Sequence, residues 1–235
     1  MAEKREFISA IVVAAGKGTR MNMNINKQYI ELQGIPVLVR TLKVFQDSPD
    51  IDEIVMVVNE KEISYCQENI VASYEFDKVK RIVAGGAERQ NSVYNGLKSI
   101  NPQCDIVLIH DGARPFVSGK CLKDSIDGAR EFGASCAAVP VKDTIKRADN
   151  KEFVLETIER SSLWSIQTPQ TFRYDVIMDA HRKALEEGYL GTDDAVLVER
   201  AGVRTKLVMG SYNNIKITTK EDLAIAEAIL GNIEA

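Results

Sequence analysis

The sequence predicts an α/β fold: a mostly parallel, twisted sheet with helices on both faces. Two observations predict it. Short apolar runs rich in β-branched residues alternate along the chain with longer stretches of helical spacing. The runs are also nearly continuous in apolar residues, as parallel strands covered on both faces are.

The elements follow in order. Residues 8–15 form the first run and predict the first strand. Ser9 inside it, and Gly16-Lys17-Gly18-Thr19-Arg20 directly after it, favour a buried strand over a secretory leader. Residues 37–45 place Val37, Leu38, Thr41, Leu42 and Phe45 on one helical face. Residues 54–58, Ile-Val-Met-Val-Val, predict a second strand, and residues 61–74 a helix. Residues 79–84 predict a third strand, followed by a helix at 88–100 with Val93, Leu97 and Ile100 at helical spacing. Residues 106–109 predict a fourth strand that ends at His110-Asp111. A helix at 121–132 and a fifth strand at 135–139 continue the rhythm. Right-handed crossovers then gather the loops after the strands at one rim, where such sheets bind ligands.

The rhythm breaks after Val139. Residues 141–147 and 153–158 flank Ala148-Asp149-Asn150-Lys151, a turn-prone stretch, and predict an inserted β-hairpin. Many charges and few core residues predict that this arm, at about residues 141–160, projects from the body. Helices at 174–187 and 192–201, a strand at 206–209 and a helix at 220–230 complete the chain. No linker, repeat or low-complexity segment interrupts it. The expectation is one domain over residues 1–235, arm included.

Composition narrows the function classes. The 235 residues are 45% hydrophobic and 27% charged, which argues against disorder, collagen and coiled coil. A chain of this length buries roughly 70% of its unfolded surface, so it needs no disulfide or metal to hold a core. Thirty basic and 34 acidic residues leave a charge of −4. That balance argues against a generally basic nucleic-acid binder and leaves room for a local cationic pocket. No run reaches the roughly 18 apolar residues of a membrane span. Cys66, Cys104, Cys121 and Cys136 form no C-x-x-C pair and have no histidine at ligand spacing. Free, mostly buried thiols are expected, in a reducing and hence cytoplasmic compartment.

The chemistry-bearing segments lie after the strands. Gly16 and Gly18 let backbone N–H groups approach phosphate oxygens. The dinucleotide fingerprint is broken by Met21, and the P-loop pattern is absent. Arg20 and Lys27 give this loop its cations, the groups that stabilise charge in phosphoryl or nucleotidyl transfer. A glycine turn with solvated basic residues is the bland alternative. Gly85-Gly86 permits close approach of a base or ribose, and Ser92 stands where it caps a helix or meets ligand. Asp111, at the end of a parallel strand, is placed to hold Mg²⁺ against triphosphate oxygens, and Arg114 to meet a phosphate. Thr192 reads as a helix N-cap with Asp193 and Asp194 in the first turn. Lys216 follows a strand and precedes the last helix, so it reaches the same rim.

These segments resemble the sugar- and polyol-phosphate nucleotidyltransferases, and within them most closely the 2-C-methyl-D-erythritol 4-phosphate cytidylyltransferase family. The resemblance runs from A-A-G-x-G-x-R-M and K-Q-Y, through G-G-x-x-R-x-x-S-V and H-D-x-A-R-P, to the arm motifs P-V-x-D-T-x-K and T-x-x-R-x-x-L-W. It continues with T-P-Q-x-F, T-D-D-A and N-I-K-x-T, ending at residue 219. It departs at Ala87, where the family often has Asp, and at Gly112, where it has Ala.

The resemblance implies a Rossmann-like nucleotidyltransferase fold, a magnesium-dependent reaction and an arm-exchanged homodimer. It implies catalytic roles for Arg20 and Lys27. Ala14, Ala15, Gly16, Gly18, Gly86, Ser92 and Gly112 would surround the CTP nucleotide. Asp111, Arg114, Thr144, Arg160, Thr168, Thr192 and Lys216 would serve substrate binding, with Asp111 also holding the metal. The expected reaction moves CMP from CTP to 2-C-methyl-D-erythritol 4-phosphate and releases pyrophosphate. The nucleophile is an anionic phosphomonoester that needs no base, so His110 is expected to be structural. The partners implied are these small molecules and a second copy of the chain, with no nucleic acid or membrane. Ribitol-5-phosphate cytidylyltransferases share several of the motifs, and the T-x-x-R-x-x-L-W run favours the methylerythritol substrate over theirs. A catalytically silent nucleotide-binding protein on the same fold is the rival from another class. The presence of Arg20, Lys27, Asp111 and Lys216 argues against it.

Overall fold

The computed structural model describes residues 5–16 and 27–233, except the side chains of Lys27 and Ile233. Its centre is a seven-stranded sheet in the order β11-β7-β10-β6-β1-β4-β5. Strand β1 (Phe7–Val13) lies in the middle, after which β2 (Glu31–Leu32) and β3 (Ile35–Pro36) form a separate small hairpin. Strands β4 (Glu53–Val58), β5 (Val79–Ala84) and β6 (Cys104–Asp111) build the sheet outward around β1. Strand β7 (Ala134–Pro140) precedes a two-stranded unit of β8 (Lys146–Ala148) and β9 (Val154–Thr157). Strands β10 (Trp164–Arg173) and β11 (Lys206–Met209) complete the large sheet.

Helices cover both faces because the strands are apolar on both. In β1, Ile8, Ala10 and Val12 join one buried cluster, while Ile11 joins the other. In β4, Ile54, Met56 and Val58 face the first cluster, and Val55 and Val57 the second. Helices α1 (Val37–Asp47) and α4 (Gly119–Phe132) contribute Leu38, Leu42, Phe45, Leu122 and Ile126 to the first. Helices α3 (Arg89–Leu97), α5 (Tyr174–Glu186) and α6 (Ala195–Arg200) contribute Val93, Leu97, Ile177 and Leu197 to the second. Helix α7 (Lys220–Ile233) covers a third, smaller cluster of Leu32, Val37, Ile217, Ala226 and Leu230.

Several elements differ from the sequence expectation. The stretch expected as one helix at 61–74 is a 3₁₀ turn (Glu60–Glu62), a short α2 (Ile63–Tyr65) and a π-helical run (Cys66–Ala72). The wider turn sets its buried residues Cys66, Ile70 and Val71 on a narrower face than an α-helix would. Helix α6 begins at Ala195 and not at Thr192. The residue at its N-cap is Asp194, whose side chain makes no capping bond; Asp193 Oδ1 accepts the Val196 N–H at 3.0 Å instead, so Thr192 does not cap it. Strand β10 had no counterpart in the reading of the sequence. It is polar in composition, contains Pro169, and runs antiparallel between β6 and β7. Its pairing with β7 is interrupted between Ile166 and Gln170, the segment that holds the proline. A proline has no N–H for a ladder, and this interruption removes the demand for one.

The hairpin β8–β9 pairs with no strand of the main sheet, and every residue of both strands is exposed. All four cysteines are free and buried.

Candidate active site

Strands β1, β4, β5 and β6 are parallel, so their carboxyl ends share one rim. A cleft of about 720 Å³ opens there, within the usual size for a small-molecule site of about 300–1,000 Å³. Its walls come from three loops. Ala14, Ala15 and Gly16 follow β1, Asn59–Lys61 follow β4, and Gly85–Arg89 follow β5. Asp111, Ala113, Lys216 and Thr218 form its floor and far side.

The first wall is fixed by the K-Q-Y segment. Gln28 is buried, and its Nε2 donates to the Ala14 carbonyl at 2.8 Å. The Tyr29 hydroxyl donates to Glu62 Oε2 at 2.9 Å. These bonds moor the 3₁₀ turn Lys27–Tyr29 against β1 and against the 60–62 turn. The backbone of Lys27 is thereby held beside the cleft. Gly18 and Arg20 lie outside the described residues.

The second wall depends on the glycine pair. A Cβ on Gly85 would stand 2.4 Å from the Ala15 Cβ, and one on Gly86 2.3 Å from the Asn91 Cβ. Neither position admits a side chain. Ser92 Oγ accepts the Gly86 N–H at 3.0 Å and donates to the Glu88 carbonyl at 3.1 Å. The serine therefore shapes the loop from within α3 while lining the cleft. Gly112 sits behind the cleft wall. Its N–H donates to the Val13 carbonyl at 2.8 Å, and its own carbonyl accepts from Thr41 Oγ1 at 2.9 Å.

Asp111 is the charge centre of the floor. Lys216 Nζ stands 2.7 Å from Oδ2, Arg89 Nε 3.2 Å from Oδ1, and Arg114 Nε 3.9 Å from Oδ2. Burial alone would raise the Asp111 carboxyl. Arg89, then Lys216 and Arg114, outweigh that effect and hold it well below the usual carboxylate range. The group is ionised throughout the physiological range. Arg114 lies beneath it, with Nη1 donating to the Asn214 carbonyl at 2.7 Å.

His110 and Thr168 support Asp111 from behind. Thr168 Oγ1 accepts the Asp111 N–H at 3.1 Å and stands 3.0 Å from His110 Nδ1. His110 Nε2 is 3.1 Å from the Arg114 carbonyl, which only accepts. The consistent pattern is an Nε2–H tautomer that donates to Arg114, with Nδ1 accepting from Thr168. Burial pushes the His110 pKa down to about 4, so the ring is neutral. His110 is thus structural, as its chemistry suggested, and the Thr168 hydroxyl is committed to it.

The expected site residues therefore fall into groups. Ala14, Ala15, Gly16, Gly86, Ser92, Asp111 and Lys216 line one cleft. Arg114, Thr168 and Gly112 lie immediately behind it. Thr192 is exposed in the turn before α6, and Thr144 and Arg160 are exposed at the base of the arm, where Arg160 Nη1 donates to the Lys142 carbonyl at 2.7 Å. Within this one chain the structure does not bring the last three to Asp111. Arg89 was missed. Its signal was present in the G-G-x-x-R spacing, as a cation in the first turn of the helix that follows the glycine pair.

A mostly parallel α/β sheet with a glycine-walled cleft, cations on its floor and a buried ionised carboxylate among them defines a protein built to take a phosphorylated nucleotide. The comparisons resolve the class. The family model for 2-C-methyl-D-erythritol 4-phosphate cytidylyltransferase matches residues 8–232, and the chain belongs to this family. A cytidylyltransferase of that name from Caldanaerobacter subterraneus subsp. tengcongensis is 52% identical over 95% of this chain and 98% of its own length. One from Geobacillus kaustophilus is 54% identical over 95% of this chain and 96% of its own. The crystal structure of 4-diphosphocytidyl-2C-methyl-D-erythritol synthase from Anaerococcus prevotii matches with a TM-score of 0.86 at 37% identity, covering 96% of each chain. The crystal structure of the cytidylyltransferase from Thermus thermophilus matches at 0.77, with 29% identity over 95% of this chain and 98% of that one.

The His110 assignment predicts a pH signature. Its folded pKa of about 4 lies below the ordinary 6.5, so protonation favours the unfolded chain. The stability it contributes is complete above pH 6.5 and is lost as pH falls through about 4. In an NMR titration the His110 ring should keep the neutral Nε2–H pattern from pH 7 down to about 5. Titration near 6.5 would contradict the assignment.

Proposed function

We propose that this protein transfers CMP from CTP to 2-C-methyl-D-erythritol 4-phosphate, giving 4-diphosphocytidyl-2-C-methyl-D-erythritol and pyrophosphate. The observation that carries the reading is the single cleft in which the glycine loops, Asp111 and Lys216 converge, in a chain of this family. The phosphate oxygen of the polyol attacks the α-phosphorus of CTP in line, the new P–O bond forms, and pyrophosphate departs with the electron pair of the broken bond.

The chain's part is positioning and electrostatics. The loops at 14–16 and 85–86 line the cleft for a nucleotide, and Gly85 and Gly86 let the second loop pack directly on Ala15 and Asn91, where a Cβ would collide. Arg20 and Lys27, the second on the turn moored by Gln28 and Tyr29, supply the charge that meets the transition state and the leaving pyrophosphate. Lys216 lies on the floor, where it reaches a phosphate and offsets its charge. Thr144, Arg160, Thr168, Thr192 and Arg114 belong to the polyol-phosphate side. Thr144 and Arg160 sit on the arm, so they serve a site completed by a second copy.

Magnesium fits the residues present. Asp111 is an ionised carboxylate on the cleft floor, and Mg²⁺ binds through one or two carboxylates together with substrate phosphates and water. Bound there, it would neutralise charge on the triphosphate. The arm supports a homodimer: Phe153, just before β9, and Val154 and Leu155 within it are 68%, 59% and 56% exposed on a hairpin that joins no other sheet. Such a row of apolar side chains gains by burial against a partner. The protein is read as one domain with this arm. Its four buried free thiols fit the cytoplasm. Among the described residues no helix is long and apolar enough to cross a membrane.

Pyrophosphate release with CTP and Mg²⁺ tests the function. Turnover is expected with methylerythritol phosphate and not with ribitol phosphate. Turnover with ribitol phosphate alone would overturn the substrate, and CTP binding without turnover on either would overturn the enzyme. Light scattering after size exclusion should give a dimer mass at micromolar protein, and Phe153→Asp should shift it toward monomer. A wild-type monomer mass would remove the arm's role.

A further inference from the structure

Arg89 has a geometry that none of the roles above uses. It opens α3 and lines the cleft. Its Nε donates to Asp111 Oδ1 at 3.2 Å and its Nη1 to Asp194 Oδ2 at 2.7 Å. The two carboxylates come from distant parts of the chain, and their side chains are 9% and 1% exposed, against 29% for Arg89. One guanidinium is therefore gripped at two points from below while its remaining face borders the cleft.

The turn that carries Asp194 is itself fastened. Gln90, next to Arg89, donates to the Tyr189 carbonyl at 3.0 Å and accepts the Gly191 N–H at 2.8 Å. Gln170 Oε1 accepts both the Asp194 and Ala195 N–H groups at 3.0 Å. Asp194 thus has little freedom to follow Arg89 if the arginine moves.

The consequence is a division of the guanidinium. Arginine alone beside a carboxylate tends to close on it with two parallel N–H bonds, occupying both oxygens. Here Asp194 takes one arm of the fork. Asp111 receives a single N–H from Arg89 on Oδ1 and the Lys216 ammonium on Oδ2. A lysine cannot do this, because a point charge on a flexible stem has no fixed fork to span two acids.

We propose that Asp194 is a positioning residue that acts through Arg89, holding the guanidinium as a preset bridge on the cleft floor for the incoming nucleoside triphosphate. The proposal rests on the reading that this cleft takes CTP. It assigns Arg89 to nucleotide binding, and it couples the Thr192–Asp194 turn mechanically to the nucleotide side of the cleft.

Isothermal titration with CTP, with and without added Mg²⁺, tests it on the full chain. Asp194→Asn, Arg89→Lys and Arg89→Gln should each weaken CTP binding by about tenfold, the scale of one charge-assisted hydrogen bond. Arg89→Lys should bind no better than Arg89→Gln, and adding Asp194→Asn to Arg89→Lys should cost nothing further, because the pair acts as one unit. Wild-type affinity in Asp194→Asn would overturn the proposal, as would restoration by Arg89→Lys, which shows that charge without the bridge suffices. Arg89→Lys decides the matter alone if Asp194→Asn fails to fold. A wild-type chain that binds no CTP defeats the functional reading, whereas variants that bind like a CTP-competent wild type defeat only this inference.

Discussion

An ionised carboxylate at the bottom of a cleft is the constraint around which this molecule is arranged. Taking Asp111 out of water costs several kcal/mol unless opposite charge compensates it. Arg89, Lys216 and Arg114 provide that charge from three separate parts of the chain. Two of the three are in turn fixed: Arg89 by Asp194, Arg114 by the Asn214 carbonyl. The carboxylate gathers cations, and gathered cations are what two phosphorylated substrates require. A chain of net charge −4 can handle polyanions because placement, and not the sum, sets the local field.

The sheet delivers these groups through its connectivity. Parallel pairing of β1 with β4 and β6 puts Gly16, Asn59 and Asp111 at one rim. The antiparallel strand β10 then slides between β6 and β7 and brings Thr168 against the Asp111 N–H. The same strand presents Gln170 to the turn before α6, holding Asp193 through its Nε2 at 2.9 Å. One strand thus steadies both the carboxylate and the turn that anchors its arginine. Asn214 adds a third tie, donating to the Thr168 carbonyl at 2.9 Å.

Much of this was legible in the sequence, and the reasons are specific. The strand 54–58 was visible because its apolar run is continuous, and Asp111 because an acid at the end of the apolar run 106–109 has few structural uses. The residues lining the cleft were visible through glycines and cations at fixed spacings. Strand β10 was not visible. Its Ser165, Gln167, Thr168, Gln170 and Thr171 are polar, and most of them satisfy buried partners that only the folded sheet supplies, so its composition reads as a loop. The π-helical run at 66–72 was read as ordinary helix because Cys66 and Ile70, four residues apart, also fit an α-helical stripe. Arg89 was overlooked because a lone arginine beside a glycine pair reads as solvated until Asp111 and Asp194 close on it from far away in the chain. Thr144 and Arg160 are exposed on the arm and do not line the cleft in one chain, so the sequence motifs that carry them are not joined to it in the folded monomer.

The proposed chemistry depends on the charge of Asp111, and Asp111→Asn removes that charge while keeping its shape. The decisive measurement is steady-state pyrophosphate release by this variant with CTP, methylerythritol phosphate and Mg²⁺, alongside its far-ultraviolet circular dichroism. The expected result is a native-like spectrum with turnover reduced by about 10²-fold or more, the scale of a lost electrostatic contribution to the transition state. A folded variant that turns over within a few-fold of wild type would contradict it.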